Sequence, residues 1–334
     1  MNAKRKETDN KNSKIFKKHG SALYRRLGDR LFFVTIFSLG ITVIVCTILM
    51  ALVLYSDGAM AIKEFGFWGF LKGRVWDPAS KMQFGTFPFI LGTLVTSVVS
   101  LAISFVPAVA VAVFTAEYSP RWLSNIIDNL VNLIAAVPSV IIGLWGIFVF
   151  APWMRDTFYM NIYMWCLDNF PSLLPILGNP IGYGMASATI ILSLMIVPYT
   201  TALTVEAINQ VPKEQREAAY ALGATKWEVI RMSVLPYARG GILAGVMLSF
   251  GRAIGETMAV AMLIGNKNTL PFSIFGPAAT MPSVIVNEFR EAVSNIHLSS
   301  LMAVGFYLFI ISLIVNLIAA YIQRKFSMTG GRAV

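Results

Sequence analysis

Charged residues are scarce in this 334-residue sequence. Asp, Glu, Lys and Arg make up 13% of it, whereas hydrophobic residues make up 56%. A soluble globular domain carries about 25% charged residues, roughly twice this share. The composition therefore favours an integral membrane protein over a water-soluble one.

Histidine and cysteine are also rare. Cys46 lies within an apolar stretch, Cys166 lies outside the predicted spans, and His19 and His297 are at opposite ends of the chain. Such an inventory provides neither a disulfide framework nor a metal site. No segment matches the GxxxxGK[ST] phosphate loop. We therefore expect no cofactor and no enzymatic activity, and a membrane-embedded enzyme is disfavoured because it would need a cluster of catalytic groups within the spans.

Six stretches are almost free of charge and long enough to cross a membrane, which takes about 20 apolar residues. Five contain no charged residue, and the sixth, Gly240–Asn266, is interrupted only by Arg252 and Glu256. We predict an all-α integral membrane fold with six transmembrane helices; a barrel would show short alternating segments instead. The five uninterrupted stretches are Leu31–Tyr55, Phe87–Ala116, Asn129–Met154, Asn169–Val205 and Leu298–Gln323.

Positive charge is unevenly distributed among the predicted loops. With a cytoplasmic N-terminus, the inner segments hold 19 of the 27 Lys and Arg residues and the outer loops hold 7. Cytoplasmic loops carry such an excess, so we predict both termini in the cytoplasm. The basic tail, residues 1–30, is then expected near anionic lipid, and the net charge of +10 requires no nucleic acid as a partner. The inner segments are 1–30, 117–128, 206–239 and 324–334, and the outer loops are 56–86, 154–168 and 267–297.

The longest inner loop, residues 206–239, carries the signals of two short helices. Pro212 suits the first turn of a helix, and Gly223 suits the left-handed cap that ends it. Thr225–Glu228 matches a capping box that begins a second helix, which Pro236 is expected to end. An ordinary amphipathic connector at the membrane interface would show the same signals.

The same loop resembles the EAA loop of binding-protein-dependent ABC permeases. That pattern is EAA, three residues, Gly, nine residues, Ile, one residue and Leu-Pro, and the spacing here matches throughout. Ser233 stands where the family usually has isoleucine, which we expect to weaken slightly the apolar seat of the second helix. The resemblance implies that the loop couples to an ATPase subunit through Glu217, Ala218, Ala219, Gly223, Leu235 and Pro236.

Similarity to the permeases of phosphate-specific ABC importers, PstC type, extends over about residues 30–325. It implies a type I ABC importer permease fold in the cytoplasmic membrane. It also implies four partners: a related permease of PstA type, two ATP-binding subunits and an extracytoplasmic phosphate-binding protein. The segments that carry the similarity are Trp76–Pro78, Phe84–Leu94, Ala136–Val140, Gly251–Thr257 and Thr280–Ile285.

This resemblance divides the chain into three regions. Residues 1–30 are the basic cytoplasmic tail, residues 31–55 a peripheral first transmembrane helix, and residues 87–323 a five-helix permease core that includes the coupling loop. ATP-driven closure of the ATPase subunits would then switch the access of a central cavity by rigid-body motion between two states.

Arg252 and Glu256 are the only ionisable residues in the predicted spans. Each costs about 2.5–3.5 kcal/mol to insert, so such residues usually face a cavity or each other. Four positions apart on a helix, the two could form an ion pair that serves only insertion. Alternatively, Arg252 offers a planar fork of donors to a tetrahedral oxyanion, and Glu256 holds it between transport events. Both positions match those that the phosphate family uses for translocation.

A polar stripe runs along the second predicted span. Thr93, Ser97, Ser100 and Ser104 fall on one helix face and could line a path, but such hydroxyls can equally bond to their own backbone. Pro107, Pro138 and Pro198 are expected to kink or break their helices.

Two functional alternatives stay open at this point. An importer of another oxyanion, such as molybdate or sulfate, would present the same residues, because one arginine does not discriminate among tetrahedral anions. A secondary transporter or channel would need no ATPase dock, and the EAA loop disfavours it.

Overall fold

The computed structural model describes the backbone of residues 2–270 and 273–330 and the side chains of residues 29–270 and 273–325. In these residues the regular structure is helical apart from one short pair of strands. Six helices are long and apolar enough to cross a membrane, which confirms the predicted number. They are Asp29–Phe65, Phe87–Tyr118, Ser139–Asn169, Met185–Asn209, Lys226–Gly255 and Asn295–Lys325.

Most elements follow one another with short connections, and the longest, residues 264–280, joins α13 to α14. The α-helices are α1 (Asn2–Phe65), α2 (Phe67–Lys72), α3 (Phe87–Val113), α4 (Arg121–Ala136), α5 (Ser139–Trp145), α6 (Ala151–Met154), α7 (Met160–Asn169), α8 (Leu174–Leu177), α9 (Met185–Asn209), α10 (Lys213–Ala221), α11 (Lys226–Val229), α12 (Leu235–Gly255), α13 (Met258–Leu263), α14 (Met281–Glu288) and α15 (Asn295–Gly330). Wider π-helical turns lie at Phe114–Tyr118, Gly146–Phe150, Arg155–Tyr159 and Ile230–Val234, and a 3-10 turn at Pro171–Leu173. Strands β1 (Trp76–Asp77) and β2 (Gln83–Phe84) pair antiparallel.

The third span differs from the prediction. The stretch Asn129–Met154 is not one helix, because α4 ends at Ala136 and the spanning helix begins at Ser139. Val137 is extended, with ψ of 126°, as expected before a proline that crowds the helical conformation of its neighbour. The span then runs on to Asn169, so that the predicted outer loop 154–168 is helical.

The other two prolines do not break their helices. Pro107 lies inside α3 and Pro198 inside α9, and both helices continue past them. Neighbouring helices and polar side chains can satisfy the backbone groups that a proline frees within a membrane protein.

The chain divides after Ser56 into two compact units. The first contains the apolar stretch predicted as the first span, whose peripheral position stays a prediction. In the second, α9 packs against α3, α4 and α12, and α12 also packs against α15. Helix α9 is the most buried of the six candidate spans, so the second unit is built around it.

A buried carboxylate joins several connecting segments of the second unit. Glu288 of α14 accepts hydrogen bonds from Trp76 Nε1 at 2.7 Å and from Asn268 Nδ2 at 2.6 Å. His297 Nε2 of α15 lies 2.9 Å from the same carboxylate. The charge is thus buried together with polar partners, as a buried carboxylate requires. This end of the unit is fixed by Glu288, and His297 serves that network.

Candidate translocation and coupling sites

Arg252 lies in the last turn of α12, beside the centre of α9. One turn earlier, the two helices are joined by a buried hydrogen bond from Thr200 Oγ1 to Ser249 Oγ, 2.7 Å long. The Arg252 side chain is exposed, and its Cζ lies 4.3 Å from the centre of the Tyr199 ring. This distance is within the range of a cation–π contact.

Tyr199 is itself held by a third helix. Its hydroxyl donates to the carbonyl oxygen of Ala135 at 2.7 Å. Ala135 is near the end of α4, where the break at Pro138 leaves carbonyls without their helical partners. Three helices therefore fix the position of the ring beneath Arg252.

Glu256 does not lie where the sequence places it. We expected it one helical turn beyond Arg252 on the same face, but α12 ends at Gly255 and the backbone of Glu256 is extended, with ψ of 126°. The ion pairs of residues 29–270 and 273–325 include none between Arg252 and Glu256. The expected helical geometry of the pair is wrong, because the span breaks at residues 256–257 and resumes as α13.

The polar stripe of α3 is buried in this conformation. Thr93 donates to the Phe89 carbonyl oxygen at 2.7 Å and accepts from the Met281 N–H at 2.9 Å. Ser104 donates to the carbonyl oxygen of Leu101 at 3.0 Å, as the backbone-bonding interpretation expects. The two remaining hydroxyls differ: Ser100 donates to the Thr189 carbonyl oxygen of α9 at 2.8 Å, and Ser97 has no partner among the described residues. A role in lining a path stays a prediction for Thr93, Ser97, Ser100 and Ser104.

The predicted pair of short helices is confirmed in the coupling loop. Helix α10 ends before Gly223, whose φ of +82° is the left-handed conformation that glycine adopts without strain. Thr225 then caps α11: its N–H donates to Glu228 Oε2 at 2.7 Å, and its Oγ1 accepts from the Glu228 N–H. The elbow and the cap fix the angle between the two helices.

The prediction that Pro236 ends the second helix is wrong. A π-helical turn, Ile230–Val234, joins α11 to α12, and the Leu235 N–H donates to the Ile230 carbonyl oxygen, five residues back. This widened turn accommodates a proline that lacks an N–H, so the helix continues through it into the membrane. The second short helix of the loop and the fifth span are one continuous helical segment, Lys226–Gly255.

Ser233 replaces the expected apolar contact with a polar one. Its Oγ donates to the carbonyl oxygen of Gln215 in α10 at 3.1 Å. Beneath the loop, an apolar cluster that includes Ile208, Val229 and Ile230 joins the ends of α9 and α11. The departure from isoleucine therefore leaves α10 attached to the following helix.

Several residues of the coupling loop are exposed, and two of them are large and apolar. Leu222 is 90% exposed and Met232 is 72% exposed, and Glu217 and Ala218 are also exposed. Exposed apolar groups of this size next to small residues are typical of a surface that a partner covers.

Arg216, which the sequence analysis did not single out, is the most extensively bonded residue of this loop. It reaches Glu117 in the π-helical turn after α3 and two backbone carbonyl oxygens at the end of α9. The available signal was an arginine directly before the EAA sequence and a lone acidic residue directly after the second span.

Comparison with known proteins shows similarity to transport permeases. Residues 108–328 match the family described as binding-protein-dependent transport system inner membrane component. The chain is 38% identical to the phosphate transport system permease protein PstC of Mesorhizobium japonicum, over 91% of this chain and 93% of that protein. It is also 38% identical to the PstC protein of Haemophilus influenzae, over 89% and 93%.

Solved structures show the same fold at low sequence identity. A chain of a bacterial alginate ABC transporter in complex with an alginate-bound periplasmic protein aligns with a TM-score of 0.59 at 15% identity, covering 87% of this chain and 94% of that one. A chain of an inward-facing MetNI methionine ABC transporter aligns with a TM-score of 0.52 at 19% identity, covering 70% and 93%. The predicted type I ABC importer permease fold is confirmed.

Proposed function

Because this chain belongs to the family of binding-protein-dependent transport system inner membrane components, we propose that the cargo of its importer is inorganic phosphate. The chain is a multi-pass membrane permease subunit of an ABC importer, and ATP hydrolysis belongs to a separate subunit. The names of the relatives and the chemistry of Arg252 support phosphate as the cargo.

The observation that carries the proposal is an exposed arginine at a break in a spanning helix, with no carboxylate partner among residues 29–270 and 273–325. Burying a charge in a membrane costs about 2.5–3.5 kcal/mol on insertion scales, and a use for the charge explains why it is kept. The Cζ atom of the Arg252 guanidinium lies over the Tyr199 ring, 4.3 Å from its centre. The guanidinium N–H donors lie in the plane of the group and are therefore available to phosphate oxygens in a forked arrangement.

In this proposal, Glu256 is the partner of Arg252 when no anion is bound. It lies directly after the end of α12, four residues from Arg252 in sequence. Interrupted helices in transporters place mobile backbone beside the substrate route. We assign to Glu256 a counter-charge that approaches Arg252 after the anion leaves, through rearrangement at residues 256–257.

The proposed orientation places both termini and the coupling loop in the cytoplasm. It rests on the bias of 19 Lys and Arg residues inside against 7 outside. The exposed apolar residues of the loop, Leu222 and Met232, then form part of the binding surface for an ATP-binding subunit. The proposed complex contains this chain, a related permease of PstA type, two ATP-binding subunits and an extracytoplasmic phosphate-binding protein.

Transport by this complex would follow alternating access. Closure of the ATP-binding subunits draws the coupling loops together, and the helices around Arg252 move as rigid bodies to open the cavity on the other side. Arg252 provides the anion with a temporary partner, and the binding protein selects phosphate over other oxyanions.

Reconstitution of the complex in lipid vesicles tests this function. Vesicles holding the permease pair, the ATP-binding subunits and the binding protein should take up labelled phosphate only with ATP. Unlabelled phosphate should compete, whereas excess sulfate or molybdate should not. Uptake of molybdate or sulfate in preference to phosphate would replace the proposed cargo and leave the importer role unchanged.

A further inference from the structure

Arg216 forms a network that we name the Arg216 clamp: Arg216, Glu117 and the carbonyl oxygens of Ile208 and Val211. Nε and Nη2 of Arg216 donate to Glu117 Oε1 at 3.1 and 2.9 Å. Nη1 donates to the Val211 oxygen at 2.7 Å, and Nη2 also donates to the Ile208 oxygen at 3.0 Å. The Arg216 side chain is 21% exposed and that of Glu117 is 10% exposed.

At the end of α9 the Ile208 carbonyl oxygen accepts from the Val211 N–H at 3.1 Å, and Arg216 is an additional donor to it. In a continuing α-helix, the Ile208 oxygen would accept from the N–H of residue 212, but this is Pro212 and has none. Helix α9 ends at Asn209, so its last carbonyls carry the partial negative charge of a helix C-terminus. A guanidinium at this position satisfies those oxygens and a carboxylate at once, because its donors point in several fixed directions.

The clamp joins α10, the end of α9 and the π-helical turn after α3. Helix α10 follows α9 after a short connection, but Glu117 lies 99 residues before Arg216 in sequence. An apolar cluster that contains Val113 and Ile208, with Ala219 of α10 packed against it, also joins these elements. Apolar packing is not directional and permits sliding, whereas the forked hydrogen bonds of an arginine fix an angle.

We propose that Arg216 is a positioning residue that makes the ends of α3 and α9 move together with the coupling helix α10. The inference rests on the proposed function, because it requires that the ATP-binding subunit moves this loop. Helix α9 carries Tyr199 and packs along α3, so a displacement of α10 reaches the surroundings of Arg252 through both helices. Without the clamp, α10 would still bind its partner, but its movement would be transmitted incompletely to α3.

The first test compares ATP hydrolysis with transport in the complete reconstituted complex. We expect Arg216→Gln to assemble and hydrolyse ATP normally while phosphate uptake per ATP falls about tenfold, since the charge-assisted hydrogen bonds that join α10 to its neighbours are lost. Arg216→Lys should recover uptake only partly, because an ammonium lacks the planar fork. Arg121→Gln is the matched control: Arg121 is an exposed arginine close to Glu117 in sequence, and this change should leave the ratio unaltered.

Glu117→Gln keeps the test decisive if Arg216→Gln assembles poorly. This variant retains the two bonds to carbonyls and weakens only the link to α3, so we expect a smaller fall in uptake per ATP. A parallel fall of hydrolysis and uptake in both variants, at constant uptake per ATP, would show a purely structural role and overturn the proposal.

A second test does not depend on the cargo. Spin labels on Ser119→Cys and Glu214→Cys, in a background without Cys46 and Cys166, report the distance between the end of α3 and α10. We expect this distance to stay constant on addition of ATP in the unmodified complex and to change or broaden with Arg216→Gln. Identical distance distributions in the two proteins would overturn the clamp, whereas failure of the unmodified complex to take up phosphate would count against the proposed function.

Discussion

Two arginines of this chain occupy contrasting surroundings. Arg216 has one carboxylate and two carbonyl oxygens as acceptors and is largely buried at the coupling loop. Arg252 is exposed at the end of α12 and contacts an aromatic ring, with no ion pair among the described residues. A guanidinium whose donors are occupied fixes the position of neighbouring elements, whereas one that contacts only an aromatic ring has donors available for an anion.

The contrast assigns the two ends of the fifth span different tasks. The N-terminal end begins with a capped elbow, a π-helical turn and a clamp to neighbouring helices. The other end stops at Gly255, just after the arginine, and the chain changes direction. In the proposed function, movement enters at the firmly bonded end, and the substrate is bound at the interrupted end.

Replacing Arg252 should produce the largest effect on transport. Arg252→Leu removes every donor, and we expect phosphate uptake to fall at least about tenfold while membrane yield and assembly persist, because charge-assisted contacts to the anion are lost. Arg252→Lys keeps the charge without the fork, so uptake should be weakened less. Uptake at the unmodified rate in Arg252→Leu would show that the two arginines do not differ in the proposed way.

A change at Gly223 should separate the dock from the translocation site. Gly223→Asp places a side chain at φ of +82°, which costs roughly 1–2 kcal/mol, and adds a charge to the exposed elbow. We expect the chain to insert, while copurification with the ATP-binding subunits and phosphate uptake both fail. Gly223→Asn is the matched control, because asparagine has the same size, no charge and a better tolerance of this conformation. Normal copurification and normal phosphate uptake in Gly223→Asp would show that the loop is only a connector.

Tyr199 should show a smaller effect that sharpens the role of the ring contact. Cation–π contacts contribute about 0.5–2 kcal/mol, so Tyr199→Leu should weaken phosphate uptake by about fivefold. Tyr199→Phe keeps the ring and loses only the bond to the Ala135 carbonyl, so we expect a milder change. Equal phosphate uptake by Tyr199→Leu and the unmodified chain would show that the Tyr199 ring has no role in transport.

Labelling of single cysteines should define the orientation without altering transport. Cysteines replacing Lys11, Gln215 and Lys81 are placed in a background without Cys46 and Cys166. Only the cysteine at position 81 should react with an impermeant maleimide in intact cells, because the other two positions are predicted to be cytoplasmic. Labelling at position 215 would place the coupling loop outside the cell and contradict the predicted orientation.

The sequence predicted those features that depend on local chemistry. The number of spans follows from apolar length, and the elbow at Gly223 and the cap at Thr225 follow from backbone preferences of single residues. Predictions that required neighbours failed. Pro236 continues a helix because a π-helical turn precedes it, and α3 and α9 run on past Pro107 and Pro198. The expected break at Pro138 did occur, and it divides Asn129–Met154.

The candidate site was predictable in part for the same reason. An arginine in an apolar stretch is conspicuous, so Arg252 could be selected from sequence alone. Its relation to Glu256 assumed an unbroken helix, and the break after Gly255 depends on tertiary packing. Arg216 could not be identified from the sequence because its partners are distant in sequence or are backbone carbonyls.

The most direct test of the account is phosphate uptake by the double variant Arg252→Leu with Glu256→Leu. If the two charges served only insertion, removing both would leave no unpaired charge, and such a replacement is often neutral or stabilising. We predict that the double variant inserts and assembles with the ATP-binding subunits but takes up no phosphate in the presence of ATP. Full uptake by this variant would contradict an anion site at Arg252 and would direct attention to Thr93, Ser97, Ser100 and Ser104.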